Sequence, residues 1–244
     1  MTVSRLVSFG HLAHPLFVGS FLQFAVDNAG ALAHLLVQHI VIVTQAIVLA
    51  VPIGVLLGVA ITFEDRIATV VLWLAGIMMT IPSIALFGLL IPYFGIGKPP
   101  VVVALILYSQ LPVVRNTYIG LTQVDEAAIS AGRGIGMTRL QRLWRIRVPK
   151  ALPVIMAGVR NAVIVLIGIA AIGAFIGAGG LGDFIFDGIT DANTAMIVVT
   201  TVVLSVLALA FDYVFAVIEQ VLRLHNGEDV DLLFPIRVAR SVNS

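Results

Sequence analysis

Residues 38–61, QHIVIVTQAIVLAVPIGVLLGVAI, contain no Asp, Glu, Lys or Arg. About 20 apolar residues in a helix cross a bilayer's hydrocarbon core, and a chain in oil must satisfy its own backbone hydrogen bonds. That run commits the chain to an all-α membrane fold unless its other segments disagree, and four of them agree. Apolar runs at about 67–94, 100–119, 152–176 and 194–218 make five core transmembrane helices. Segment 67–94 is longer than one straight crossing and contains Thr80-Ile81-Pro82-Ser83, which predicts a helix break at Pro82. Pro52 and Pro112 lie inside other spans and are expected to kink them. Asp27, Asn28 and His34 interrupt residues 16–36, which read as an interfacial amphipathic helix rather than a sixth span.

Composition says the same. Only 11% of the 244 residues are charged and mean hydropathy is +1.10, whereas about a quarter of a soluble domain is charged. The net charge of +1 gives no reason to expect nucleic acid as a partner. The absence of cysteine excludes disulfides, thiolate chemistry and Cys-ligated metal. The His residues show no metal-ligand spacing, and no Ser-His-Asp set suggests catalysis. The opening MTVSRLVSFGHLAHPLF lacks a clean apolar core and an A-x-A site, so it does not read as a cleaved signal peptide. The organisation expected is an N-terminal segment 1–36, a membrane domain 37–220 and a tail 221–244.

Lys and Arg in short loops set the orientation. Arg133, Arg139, Arg142, Arg145, Arg147 and Lys150 lie between the third and fourth spans; Asp183, Asp187 and Asp191 lie between the fourth and fifth, without a cation. This predicts a cytoplasmic basic loop and an external acidic one. Five spans then put the N-terminus outside and the C-terminus inside, with Arg223, Arg237 and Arg240 on the inner tail.

The basic loop, TQVDEAAISAGRGIGMTRLQRLWRIRVP (122–149), has more structure than topology requires. Thr122 and Asp125 resemble a capping box ahead of an Ala-rich helix. Gly132, Gly134 and Gly136 then allow a sharp turn. Met137, Leu140, Leu143, Trp144 and Val148 share one face of a second helix, with Arg139, Arg142 and Arg145 along another. Pro149 and Pro153 are expected to end that helix before the fourth span. Two short helices with a glycine corner make a rigid protrusion suited to docking.

The segment resembles the cytoplasmic loop of ABC importer membrane subunits, with its pattern E-A-A-x-x-x-G-x(9)-I-x-L-P. Counted back from Pro149, Ile146 and Gly136 match, Val148 stands for Leu, and Ser130-Ala131-Gly132 stand for Glu-Ala-Ala. The local Glu126-Ala127-Ala128 is one helical turn early, and Glu126 shares a helix face with Ser130. Residues 80–121, GIGMTRLQ, ALPVIMAGVRNA (151–162) and IGAFIGAGGLGDFI (172–185) resemble permeases for glycine betaine, choline or carnitine. Methionine-type permeases share the five-span core. The resemblance implies a second permease subunit, a separate ATPase docked on the loop through Glu126, Ser130, Ala131, Gly132, Gly136, Met137, Leu140, Ile146 and Pro149, and an external solute-binding protein. It also implies a multi-pass place in a bacterial or archaeal inner membrane, among its lipids. The chain shows no G-x-x-x-x-G-K-[ST] of its own; GIGKPP at 95–100 lacks the first Gly and the Ser/Thr. No cofactor is expected.

Arg160 and Asp212 interrupt the fourth and fifth spans at matching depth, about 10 Å from the inner ends. They either pair, or Arg160 snorkels while Asp212 meets water alone. Gly177, Gly179 and Gly182 spell G-x-G-x-x-G but follow a membrane helix, not a strand, so they read as close helix packing or a tight external turn, while the resemblance implies a short re-entrant element near the external mouth. Arg115 and Asn116 mark an inner interface, and Trp73 and Trp144 suit interfacial anchoring. No aromatic cage for a quaternary ammonium ion is visible. The alternatives are a permease for methionine or another small solute, an ion-coupled secondary carrier, or a membrane scaffold. Carriers commonly show internal repeats, and none is visible.

Overall fold

The computed structural model describes residues 19–227. Arg237, Arg240 and most of the expected tail lie outside them, as does the start of the N-terminal segment. The described chain is helical with no strands. Helix α1 spans Ala29–Ala60 and ends in a 3-10 turn, Ile61–Phe63. Next come α2 (Asp65–Thr80), α3 (Ser83–Phe94) and α4 (Lys98–Thr122). The loop helices are α5 (Glu126–Gly134) and α6 (Arg139–Arg142). Then follow α7 (Val148–Ile172), α8 (Gly182–Thr190) and α9 (Thr194–His225). Four of these paths are long and apolar enough to cross a membrane, and the bent pair α2–α3 adds a fifth when it is counted as one broken span.

The helix of the first candidate span begins earlier than expected. Residues 19–27 are helical, a turn falls at Asn28, and α1 is continuous from Ala29. The Leu32 N–H donates to the Asn28 carbonyl and the Asn28 N–H to Phe24, so the backbone stays bonded through the turn. His34, read as an interruption, sits beside Gln38 one turn later at 2.9 Å. Residues 29–36 thus continue into the same helix as the first candidate span rather than forming a separate one.

Pro82 ends one helix and starts the next, with a 100° bend between α2 and α3. The carbonyls freed there find donors: Tyr108 Oη donates to Ile81 O at 2.5 Å and Thr80 Oγ1 to Ile77 O at 2.8 Å. By contrast α1 and α4 run on through Pro52 and Pro112.

Helix α4 is the central post, flanked by α1 and α7. Lipid is as apolar as Leu, so close van der Waals fit has to hold membrane helices together. Glycines provide it. A Cβ on Gly54 or Gly58 of α1 would lie within 2.6 Å of Val113 or Thr117 of α4, and one on Gly158 of α7 within 2.5 Å of Asn116. Gly54-x-x-x-Gly58 is the small-residue spacing that brings two helix backbones together. The core beside these crossings holds Phe87, Leu105, Leu166 and Ile167, all buried.

Candidate functional site

Helix α5 starts at Asp125, whose carboxylate accepts the Ala127 N–H at 3.0 Å. Thr122 takes no part in this cap; it is the last residue of α4 and donates its hydroxyl to Tyr118 O. The helix runs through Gly132 and Gly134, and the corner belongs to Gly136 alone, at φ +80°. There the Met137 N–H reaches Gly132 O and the Gly136 N–H reaches Arg133 O, both at 3.0 Å, the two bonds of a Schellman C-cap. Gly132 serves packing: a Cβ there would sit 2.6 Å from Ile146 Cδ1.

A reciprocal capping box opens α6. Thr138 Oγ1 accepts from the Gln141 N–H at 3.2 Å and Gln141 Oε1 accepts from the Thr138 N–H at 2.9 Å. A five-residue π turn, Leu143–Arg147, then passes directly into α7. The expected stop at Pro149 and Pro153 does not occur. Pro149 lies in the first turn of α7, directly after the π turn. Pro153 leaves the Pro149 carbonyl without a helical donor, and Asn226 Nδ2 supplies one at 3.1 Å. Arg139 to Ile176 is therefore one helical path of 38 residues.

The expected apolar face of the second loop helix is divided. Leu143 is buried against Leu121, Ala151 and Ile155 and fixes the loop to the spans. Leu140 and Trp144 point outward, 62% and 57% exposed, and Ile135 at the corner is exposed too. Ala131, Gly132, Met137, Ile146 and Pro149 gather around a cavity of about 480 Å³ that also touches Asn226. Glu126 and Ser130 are exposed and do not line that cavity.

Arg160 and Asp212 meet in a two-bond fork, Nε to Oδ1 at 2.6 Å and Nη2 to Oδ2 at 2.8 Å. Arg160 Nη1 also lies 3.6 Å from Glu219 Oε2, and Glu219 Oε1 lies 2.9 Å from Arg223 Nη2. An alternating chain of four charges thus links α7 to α9. Sequence reasoning missed its outer half, although Asp212, Glu219 and Arg223 recur at i, i+7 and i+11 on one helix face.

At the far end of α7, Gly177, Gly179 and Gly180 take φ between +76° and +89°. The Gly180 N–H donates to Gln38 Oε1 of α1 at 3.1 Å. Gly182 starts α8 in close contact with the Ala171 carbonyl, where a Cβ has no room. The turn also covers His39, fully buried, whose Nε2 lies 3.1 Å from Ile167 O. Nothing in the apolar run of α1 had distinguished Gln38 and His39. On α8, burial and the neighbouring Asp187 hold the Asp183 carboxyl above the usual carboxylate range. Asp187 and Asp191 are exposed. Among the described residues no group of three His, Asp or Glu could hold a metal.

The model of the binding-protein-dependent transport system inner membrane component family matches residues 50–224. The chain belongs to that family. It is 46% identical over 206 residues to the osmoprotectant import permease protein OsmW of Salmonella typhimurium, covering 82% of this chain and 96% of that protein. The choline transport system permease protein OpuBB of Bacillus subtilis is 41% identical, with 81% and 91% covered. The glycine betaine/carnitine/choline transport system permease protein OpuCB of the same organism is 40% identical, with 83% and 94% covered. Among solved structures, the inward-facing MetNI methionine ABC transporter has a similar chain at TM-score 0.63 and 24% identity, covering 76% of this chain and 91% of that one. An amino acid ABC transporter with histidines gives TM-score 0.69 at 20% identity, with 82% and 97% covered. At those identities the structures speak for the fold. The family is one of transport permeases in the inner membrane, so the carrier and scaffold alternatives fall away.

Proposed function

We propose that this chain is a pathway-forming subunit of an ATP-driven importer for a quaternary-ammonium osmoprotectant such as glycine betaine, choline or carnitine. The observation that carries the reading is near full-length similarity, at 40–46% identity, to permeases named for those solutes. Methionine is the lesser reading, because the methionine transporter resembles this chain only at the level of the fold.

In this reading the basic loop faces the cytoplasm and an ATPase subunit docks against α5 and α6, on the outward edge of Ile135, Leu140 and Trp144. The N-terminus is outside and the C-terminus inside. A second permease subunit, identical or related, completes the pathway, and an extracytoplasmic protein delivers solute. The unbroken path from α6 into α7 supports a lever mechanism. A push on α6 travels along α7, about 30 Å from Arg139 to Arg160 at 1.5 Å per residue, and crosses to α9 through the Arg160–Asp212 fork. Asn226, bonded to Pro149, keeps the inner end of α9 in step. ATP hydrolysis takes place on the partner, and this chain contributes position and movement.

The test is uptake of labelled glycine betaine, choline, carnitine and methionine by proteoliposomes holding the chain with its ATPase and binding protein. ATP-dependent uptake of one of the first three is expected. Uptake of methionine alone rejects the substrate class, and uptake that proceeds without ATP hydrolysis rejects the mechanism.

A further inference from the structure

Beside the loop lies a second cavity, of about 260 Å³, that the lever does not use. Arg133, Arg139, Arg142 and Arg147 all line it, together with Thr62 and Phe63. The ion pairs among the described residues belong to Arg160 and Arg223; none involves these four. Arg142 donates one Nη1–H to Met137 O, which fixes its guanidinium while leaving other donors free. Four like charges round one hollow repel unless an anion joins them. Guanidinium forks match the oxygens of a phosphate, and a water needs about 30 Å³ of liquid, so the hollow admits a phosphate with some of its hydration.

The position of the hollow selects the source of that phosphate. Thr62 and Phe63 form the turn where α1 leaves its apolar span. Phe63 is 66% exposed, an aromatic side chain at the level where membrane proteins place interfacial rings. The floor is apolar, from the buried Ile129 and Leu143. The outward edge of Ile135, Leu140 and Trp144 lines none of it. Basic pockets at the ends of membrane helices suit anionic head groups. We propose that this pocket binds the phosphate of an anionic phospholipid and so ties the loop to the bilayer surface. The pocket is independent of which solute crosses.

The probe is the full chain in nanodiscs of phosphatidylcholine with a minor fraction of phosphatidylglycerol. Lipid that stays bound after detergent extraction is counted by mass spectrometry. Wild type should retain phosphatidylglycerol several-fold above its bulk fraction. Arg139→Gln combined with Arg147→Gln should fall to the bulk fraction, while Lys150→Gln, a loop cation outside the pocket, should not. Equal retention in the double variant and wild type overturns the proposal, as does equal loss in Lys150→Gln. A second measurement needs no variant: phenylglyoxal labelling of wild type, mapped by residue. Phosphatidylglycerol should protect Arg139 and Arg147 and phosphatidylcholine should not; equal labelling overturns the proposal. Inorganic phosphate that protects them equally in pure phosphatidylcholine makes free phosphate the ligand and rejects the lipid. If the double variant keeps its lipid but loses the ATPase subunit, the pocket receives partner carboxylates and the proposal fails.

Discussion

The fork between Arg160 and Asp212 joins two charges that hydrocarbon penalises singly. Removing either one strands the other. Arg160→Ala and Asp212→Ala should each cost about 2 kcal/mol, and the double variant should recover at least about 1 kcal/mol of their sum, read from melting of the purified chain. Strict additivity would show that the fork contributes nothing. Asp183 behaves in the opposite sense. Its carboxyl is held above its ordinary range, so the folded chain binds the proton more tightly than the unfolded chain does. Stability from this group is full below the unfolded pKa and falls as pH rises through the folded one. Asp183→Asn should therefore raise the melting temperature at pH 7 and leave it unchanged near pH 3; an equal effect at both values argues against a charge cost. Single residues were unequally legible. Arg160 and Asp212 stood out because charge is conspicuous in an apolar run. Glu219 and Arg223 lie at a span's end, where charge is ordinary. Asp125 and Thr122 are both capable caps, and only the length of α4 decides between them.

Among the elements, α4 depends on the glycines of its neighbours. A methyl on Gly158 would meet the Pro112 carbonyl at 2.7 Å as well as Asn116. Gly158→Ala should cost about 1–3 kcal/mol by forcing α7 off α4. Gly88→Ala, with no atom within 4 Å of the new carbon, should cost nothing and gain up to about 1 kcal/mol of helix propensity. Comparing the two by thermal melting separates packing from propensity; equal effects would remove the close crossing from the account. The apolar helices were readable because hydropathy and length leave a chain in oil few options. The break at Pro82 was readable because proline removes a donor. The passage of α7 through Pro153 was not, since the Pro149 carbonyl it frees is satisfied by a side chain 77 positions away, Asn226. The start of α1 was obscured for a similar reason: His34 looks like an interruption until Gln38 is seen beside it.

On the scale of the whole molecule, the spans are unevenly covered. Only 11% of the most apolar window of α9 is buried within the chain, against 44% for the path through α7. Val202, Val206 and Leu209 of α9 are all more than half exposed. In the proposed two-permease assembly this face meets either lipid or the second subunit. With no native cysteine in this chain, Val206→Cys or Leu209→Cys introduces its single thiol. When the second subunit is identical and this face lies at the two-fold axis, oxidation of membranes holding the full transporter should yield a covalent permease dimer; a chain that stays monomeric at both positions places these residues beyond disulfide reach, about 7 Å, of their copies. The family and its five-span plan could be read from the loop pattern and the apolar runs. The seat of the glycine turn on Gln38 could not, because it joins residues 142 positions apart.

The π turn at Leu143–Arg147 sets a phase. Each residue advances a helix by about 100°, so the extra residue of a π turn swings everything before it by that angle relative to everything after. A chain one residue shorter there would keep nearly every side chain of α6 yet aim Leu140 a quarter-turn away from where it now points. In the proposed assembly, adding or dropping one amino acid there would turn the docking face without replacing any side chain on it.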